Sequence, residues 1–173
     1  MNDYHQLIAA AVIAQARKLE RLIDYLEIGV LTGNSAKAVL STGVCRYAVL
    51  IDNFSNTHCG DVKSSREIVE ENLLPYSGLF ELKEGNSSEE LLLITDKFDI
   101  AFIDGEHTDQ GCLSDLEKTL RLMRSDGIMF VDDLENPPSL HDVVRRFANE
   151  NSLNFTYHNV HNGLGELSWP GKS

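Results

Sequence analysis

The chain is poor in cysteine, has no basic excess and carries no long apolar run, and each shortage excludes something. Its three cysteines among 173 residues are Cys45, Cys59 and Cys112. The number is odd and no two show C-x-x-C spacing, which argues against a disulfide framework and a zinc site. They read as small buried or half-buried thiols in a reducing compartment. Lys and Arg number 15 against 27 Asp and Glu, a formal net charge of -12. Such a surface repels phosphate backbones, and no run of Lys and Arg offers a local exception, so no nucleic-acid partner is expected. No segment is apolar for long enough to span a bilayer. Near the start, Asp3 and His5 stand where a signal peptide needs a basic region before an apolar one. A cytoplasmic, membrane-free location is expected.

What is present fits one soluble domain over residues 1–173, with 42% hydrophobic residues. Residues 4–22 place Leu7, Ile8, Ala11, Ile13, Leu19 and Leu22 at helical spacing. A short strand at residues 25–29 follows, then a helix capped by Asn34 or Ser35 and running to Thr42-Gly43. The pattern repeats with strands over residues 46–51, 79–82, 98–103 and 128–131. Between them come helices capped by Asp61 (residues 62–74), opened by Ser87 or Ser88 (to 94), and over residues 110–124; a last helix covers residues 139–150. This alternation predicts an α/β, Rossmann-like three-layer sandwich. At the end, residues 154–160 and 164–169 flank His161-Asn162-Gly163, an Asn-Gly hairpin signal. The expected sheet has seven strands, mostly parallel, with an antiparallel C-terminal hairpin.

Ligands of open α/β sheets bind beyond the carboxyl ends of the strands, at the switch point of strand order. Acids and glycines gather at those ends: Glu27 and Gly29, Asp52 and Asn53, Gly85-Asn86-Ser87, Asp104-Gly105-Glu106-His107, and Asp132-Asp133. Glu27-Ile28-Gly29-Val30-Leu31-Thr32-Gly33-Asn34-Ser35 has glycines at G-x-x-x-G spacing, not the G-x-G-x-x-G of dinucleotide enzymes. Glycines there allow a tight turn and close approach to a ligand. Glu27 suits a cation such as the amino group of a methionine moiety. Asp52, 25 residues on, can accept hydrogen bonds from both hydroxyls of a ribose. Asn86 and Ser87 would then edge an adenine. Each position alone also fits a plain turn or helix cap. Asn136-Pro137-Pro138-Ser139 lacks the aromatic residue of the N-P-P-[YF] signature, and Gly171-Lys172-Ser173 lacks the spacing of a phosphate loop. Both read as loop. The pairs Glu70-Glu71 and Glu89-Glu90 read as solvated helix faces.

Four stretches together resemble the class I S-adenosylmethionine-dependent methyltransferases: Tyr25 to Ser35, the acid ending the second strand, Phe102-Ile103-Asp104-Gly105-Glu106-His107, and Phe130-Val131-Asp132-Asp133. The likeness is greatest to small-molecule O-methyltransferases of the metal-dependent kind and covers residues 25–169. It implies that Glu27, Gly29, Gly33, Asn34, Ser35, Asp52, Asn53, Asn86, Ser87, Asp104 and Gly105 bind S-adenosylmethionine. It implies that Asp104, Asp132 and Asp133 hold a divalent cation, with magnesium the expected ion because the donors are all oxygen. Asp104 and His107 are the expected catalytic pair. His107 stands where catechol-type relatives carry a lysine base, and a second role beside the cofactor suits it equally. His5, His58, His141, His158 and His161 are assigned no chemistry. The expected acceptor is a hydroxyl of a small metabolite, a sugar or phenol. The alternatives are a metal-independent O- or N-methyltransferase using His107, and a module that binds S-adenosylmethionine without chemistry; a nicotinamide-dependent oxidoreductase is disfavoured by the glycine spacing. The segment before Tyr25 is only one helix. Either the site is open, or that helix and residues 53–62 form a partial lid, or a homodimer partner contributes.

Overall fold

The structure, a computed structural model, describes residues 3–55 and 64–171. Seven strands form one sheet: β1 (Ile23–Ile28), β2 (Cys45–Asp52), β3 (Phe80–Glu84), β4 (Phe98–Ile103), β5 (Met123–Val131), β6 (Asn154–His158) and β7 (Leu164–Ser168). Their spatial order is β3-β2-β1-β4-β5-β7-β6. β1 to β5 pair in parallel, while β7 runs antiparallel to both β5 and β6. The expected sheet, seven strands mostly parallel with an antiparallel C-terminal hairpin, is therefore the observed one.

The central strands β1 and β4 are buried at every position. Helices cover both faces of a parallel sheet, so these strands are mainly apolar, and their acids Asp24, Glu27 and Asp99 are buried with hydrogen-bond partners. Strand alternation divides the core. Leu26, Ile28, Val49, Ile51, Ala101, Ile103 and Val131 face one layer, with α4 (Ser87–Leu93), α5 (Asp109–Leu120) and α6 (Ser139–Glu150). Tyr25, Ala48, Leu50, Ile100, Phe102 and Phe130 face the other, with α1 (Asp3–Leu19), α2 (Asn34–Leu40) and α3 (Arg66–Asn72).

Several boundaries differ from the sequence expectation. The first helix stops at Leu19, and β1 starts at Ile23 rather than Tyr25. Neither Asn34 nor Ser35 caps α2. Gly33 occupies the cap with φ +80° and no side-chain bond, because the turn there is left-handed. The Asp61 cap lies outside the described residues; the helix after β2 starts at Arg66, with Ser65 accepting from the Ile68 N–H. Ser87 opens α4, as expected, and Asn86 before it is the cap, accepting from the Ser88 N–H. The expected helix to Arg124 ends at Leu120, and Met123 instead pairs with Phe98 as the start of β5. In the hairpin β6 ends at His158.

Candidate active site

The strand order reverses between β1 and its two neighbours, β2 and β4, so a crevice opens beyond their carboxyl ends. Gly29 crosses this crevice with φ +84°. A Cβ there would lie 1.8 Å from the Asp104 carbonyl oxygen, so only glycine lets the turn pass β4 this closely. The Asp52 carboxylate pins the turn: one oxygen accepts from the Leu31 N–H at 2.7 Å, the other from the Phe54 N–H at 2.7 Å. Gly33 lies against Val69 and Leu73 of the α3 end. Asn34 is exposed and donates to the Thr32 hydroxyl; exposed Asn53 accepts from the Ser55 N–H. Across β2, the Gly85 N–H donates to the Asp52 carbonyl, Asn86 caps α4, and Ser87 donates to Asp115 at 2.7 Å. Gly105 has no room for a side chain, since a Cβ would meet Asp115 Oδ2 at 2.7 Å and Ile28 Cγ2 at 3.0 Å.

Glu27 is fully buried under this turn. The Ser35 hydroxyl donates to one of its oxygens and the Tyr25 hydroxyl to the other, the latter at 2.7 Å. Burial pushes its pKa up to about 8, against the pull of those two hydroxyls, with Asp104 and Asp52 adding repulsion. Its reach toward a ligand is therefore electrostatic or through the turn, because both oxygens are already engaged.

Beside Gly105 the strand ends bring a second group together. His107 stands between Asp104 and Asp133, with Nε2 3.2 Å from Asp104 Oδ1 and Nδ1 3.2 Å from Asp133 Oδ2. The Asp104 bond is the chief reason its pKa is raised, and burial opposes it. Asp104 is itself raised by burial. Asp132 is buried, and desolvation followed by repulsion from Asp104 lifts it to about 7. Its Oδ1 has no hydrogen-bond partner. Ligand-capable atoms of Asp104, His107 and Asp133, and those of Asp132, Asp133 and His161, lie within 4.8 Å of one another in each set. A buried carboxylate oxygen without a partner, flanked by two further carboxylates, is what a hard divalent cation satisfies. Asp133 belongs to both sets, while no set among the described residues joins Asp104 to Asp132.

The sequence reading missed His161 and Asn162. The Leu134 and Glu135 N–H groups donate to the Gly163 and Asn162 carbonyls at 3.0 and 2.8 Å, docking the β6–β7 turn onto the segment after β5. Asn162 then donates to Asp133 Oδ1 at 2.8 Å, and His161 Nδ1 lies 3.7 Å from Asp132 Oδ2 and 3.6 Å from Asp133 Oδ1. The Tyr4 ring of α1 packs 5.1 Å from the His161 ring. The Asn-Gly signal located the turn; only the docking shows what it approaches. His58 and Cys59 lie outside the described residues, and Cys45 and Cys112 are buried free thiols pushed to about 12 by desolvation, so neither is reactive.

The two ends of the sheet differ in charge. At the amino ends, buried Asp24 and Asp99 meet arginines: Arg46 and Arg124 pair with Asp24, Arg21 and Arg124 with Asp99. At the carboxyl ends, Glu27, Asp52, Asp104, Asp132 and Asp133 meet only histidines, hydroxyls, an amide and backbone N–H groups among the described residues. Among the described residues, no lysine or arginine pairs with these carboxyl groups.

Residues 26–134, more than half of the chain, match a family described as a methyltransferase domain. The chain belongs to that family. Solved methyltransferases share its fold. The SAH-bound Podospora anserina methyltransferase PaMTH1 is 18% identical, with TM-score 0.70 over 95% of this chain and 79% of that one. The O-methyltransferase NovP is 15% identical, with TM-score 0.77 over 97% and 80%. The O-methyltransferase TomG from Streptomyces achromogenes, solved with SAM and involved in tomaymycin synthesis, is 18% identical, with TM-score 0.69 over 94% and 79%. No curated protein matches the sequence. No helix among the described residues of this methyltransferase-family chain is long and apolar enough to cross a membrane.

Proposed function

We propose that residues 1–173 act as one S-adenosylmethionine-dependent O-methyltransferase domain whose acceptor is a hydroxyl of a small metabolite and whose reaction uses a divalent cation. The observation that carries this is the cation-deficient rim: five carboxyl groups at adjacent strand ends without a lysine or arginine among the described residues. A sulfonium, an ammonium and a metal ion are the charges such a rim attracts. The family match and the SAM- and SAH-bound relatives support the cofactor.

In this reading the Gly29–Ser35 turn cradles the methionine part of the cofactor, whose positive charge would draw the buried Glu27 beneath it toward its ionised form. Asp52 orients the ribose with its remaining lone pairs, and Asn86, Ser87 and Gly105 border the adenine. Asp104, Asp132 and Asp133 would hold the cation, which when bound lowers the pKa of an acceptor hydroxyl and fixes its oxygen. The acceptor oxygen forms a bond to the methyl carbon as the carbon–sulfur bond breaks, and the sulfur leaves as a neutral thioether. His107 can take the hydroxyl proton only in its neutral form, with one ring nitrogen deprotonated and turned away from its carboxylate toward the acceptor. Holding the two reacting atoms in line is the main contribution of the rim.

The test is transfer of labelled methyl from S-adenosylmethionine to a panel of polyols and catechols, with and without EDTA. Expected is turnover that chelation abolishes and added divalent ion restores, with Asp133→Ala slower by about 100-fold. Turnover indifferent to EDTA and to Asp133→Ala would leave His107 as the sole base and remove the metal.

A further inference from the structure

We propose that His161 is itself a ligand of the cation at Asp132 and Asp133, making a mixed nitrogen–oxygen site that selects a borderline ion (Mn2+, Fe2+, Co2+ or Zn2+) over Mg2+. This rests on the reading that the acidic rim holds a divalent cation, and concerns which ion and through which donors.

Three features of the corner lead there. The first is spacing. Donors around an ion with bonds of about 2.1 Å stand roughly 3.0–3.4 Å apart in octahedral or tetrahedral shells. His161 Nδ1 lies 3.6 Å from Asp133 Oδ1 and 3.7 Å from Asp132 Oδ2. Those separations are too long for hydrogen bonds but only a few tenths of an ångström from ligand spacing. The imidazole and the two carboxylates therefore converge without satisfying one another. The second is Asp132 Oδ1, buried and without a partner in the same corner. It belongs to the carboxylate whose other oxygen, Oδ2, faces His161, and it is free to take a ligand.

The third is preorganisation. His161 occupies a left-handed position, φ +52°, in a turn closed by the Gly163 N–H to the Val160 carbonyl. Two further backbone bonds tie that turn to the chain just after the aspartates. Asn162 orients Asp133, and the Tyr4 ring packs beside the imidazole. The hairpin fixes the backbone that carries the imidazole, and the half-exposed ring rests against Tyr4.

The donor set then decides the ion. Mg2+ takes oxygen ligands and keeps several waters, whereas imidazole favours first-row transition ions, increasingly along the series from Mn2+ to Cu2+. A nitrogen donor in the first coordination sphere shifts preference away from Mg2+ without forbidding it.

Chelator-stripped protein is titrated with Mg2+, Mn2+, Co2+ and Zn2+ by calorimetry, and the Co2+ complex is followed by visible absorption and proton NMR. His161→Asn is the informative variant, because asparagine tolerates the left-handed backbone. His141→Gln, on a ring between Phe155 and Tyr157, is the control, and circular dichroism verifies each fold. Expected is Co2+ binding at least about ten-fold tighter than Mg2+, and loss of about ten-fold of the Co2+ affinity in His161→Asn, with Mg2+ affinity changed less than about two-fold. A hyperfine-shifted exchangeable imidazole proton should appear in wild type and vanish in His161→Asn. Unchanged Co2+ affinity and spectrum in that variant, with binding abolished by Asp132→Asn, overturns the role of His161 and leaves the cation reading standing. Absence of the shifted proton in the wild-type Co2+ complex also overturns it. If no divalent ion binds wild type at millimolar concentration, both readings fall.

Discussion

Glu27 concentrates what single residues contribute here. Its carboxyl group sits at zero exposure, accepting from the hydroxyls of Tyr25 and Ser35, with a pKa of about 8. An acid with a raised folded pKa keeps its proton when folded and loses it when unfolded. Between its ordinary value of 4.5 and about 8, free-protein stability therefore falls as pH rises. Glu27→Gln removes that loss while keeping the shape. Urea unfolding should show Glu27→Gln gaining on wild type as pH rises from 5 to 8, by more than about 1 kcal/mol. A constant difference across that range would mean the group is ionised throughout. Gly29 makes a steric counterpart. A methyl group there would collide with the Asp104 carbonyl. Gly29→Ala should weaken calorimetric binding of S-adenosylhomocysteine by at least about ten-fold, because the turn must move off its ligand-binding path.

At the scale of elements, the β6–β7 turn links fold to site. Gly163 has φ +86°, and a Cβ would press on Tyr157 and Glu135 at 3.0–3.1 Å. Gly163→Val should cost about 1–3 kcal/mol in thermal unfolding and also weaken divalent-ion binding, since the same turn carries His161 and Asn162. Stability loss with ion affinity intact would separate the turn from the site. The strands were readable in the sequence because burial on both faces leaves short, mainly apolar runs, as in Ile100-Ala101-Phe102-Ile103. The boundary near residue 122 was not readable: Leu120, Leu122 and Met123 continue a helical pattern, and only pairing of Met123 with Phe98 draws that stretch into β5. Likewise the acids at strand ends announced themselves through their motifs. His161 did not, because its place depends on a hairpin docking some 30 residues away in sequence from Asp132.

The molecule as a whole separates two kinds of buried acid. Arginines neutralise the amino-end pair, Asp24 and Asp99, and Arg124 touches both; its Nε lies 3.2 Å from Asp99 Oδ1, off the hydrogen-bond direction. Arg124 is partly exposed, so solvent screens part of its contribution. Arg124→Met should lower stability by roughly 1–3 kcal/mol yet leave S-adenosylhomocysteine affinity unchanged, as chemical denaturation and calorimetry would show. Among the described residues the carboxyl-end acids have no such partners, so ligand cations should stabilise the fold by mass action: the melting temperature should rise with cofactor and with divalent ion, and chelation should reverse the second rise.

The most direct measurement is a crystal structure with S-adenosylhomocysteine and Mn2+, using anomalous scattering to place the ion. The adenosyl group should lie along the Gly29–Ser35 turn with its ribose on Asp52, and one anomalous peak should sit among Asp104, Asp132, Asp133 and His161. Cofactor bound elsewhere, or a rim that stays free of both ligands at saturating concentration, would contradict the assignment of this crevice as the methyl-transfer site.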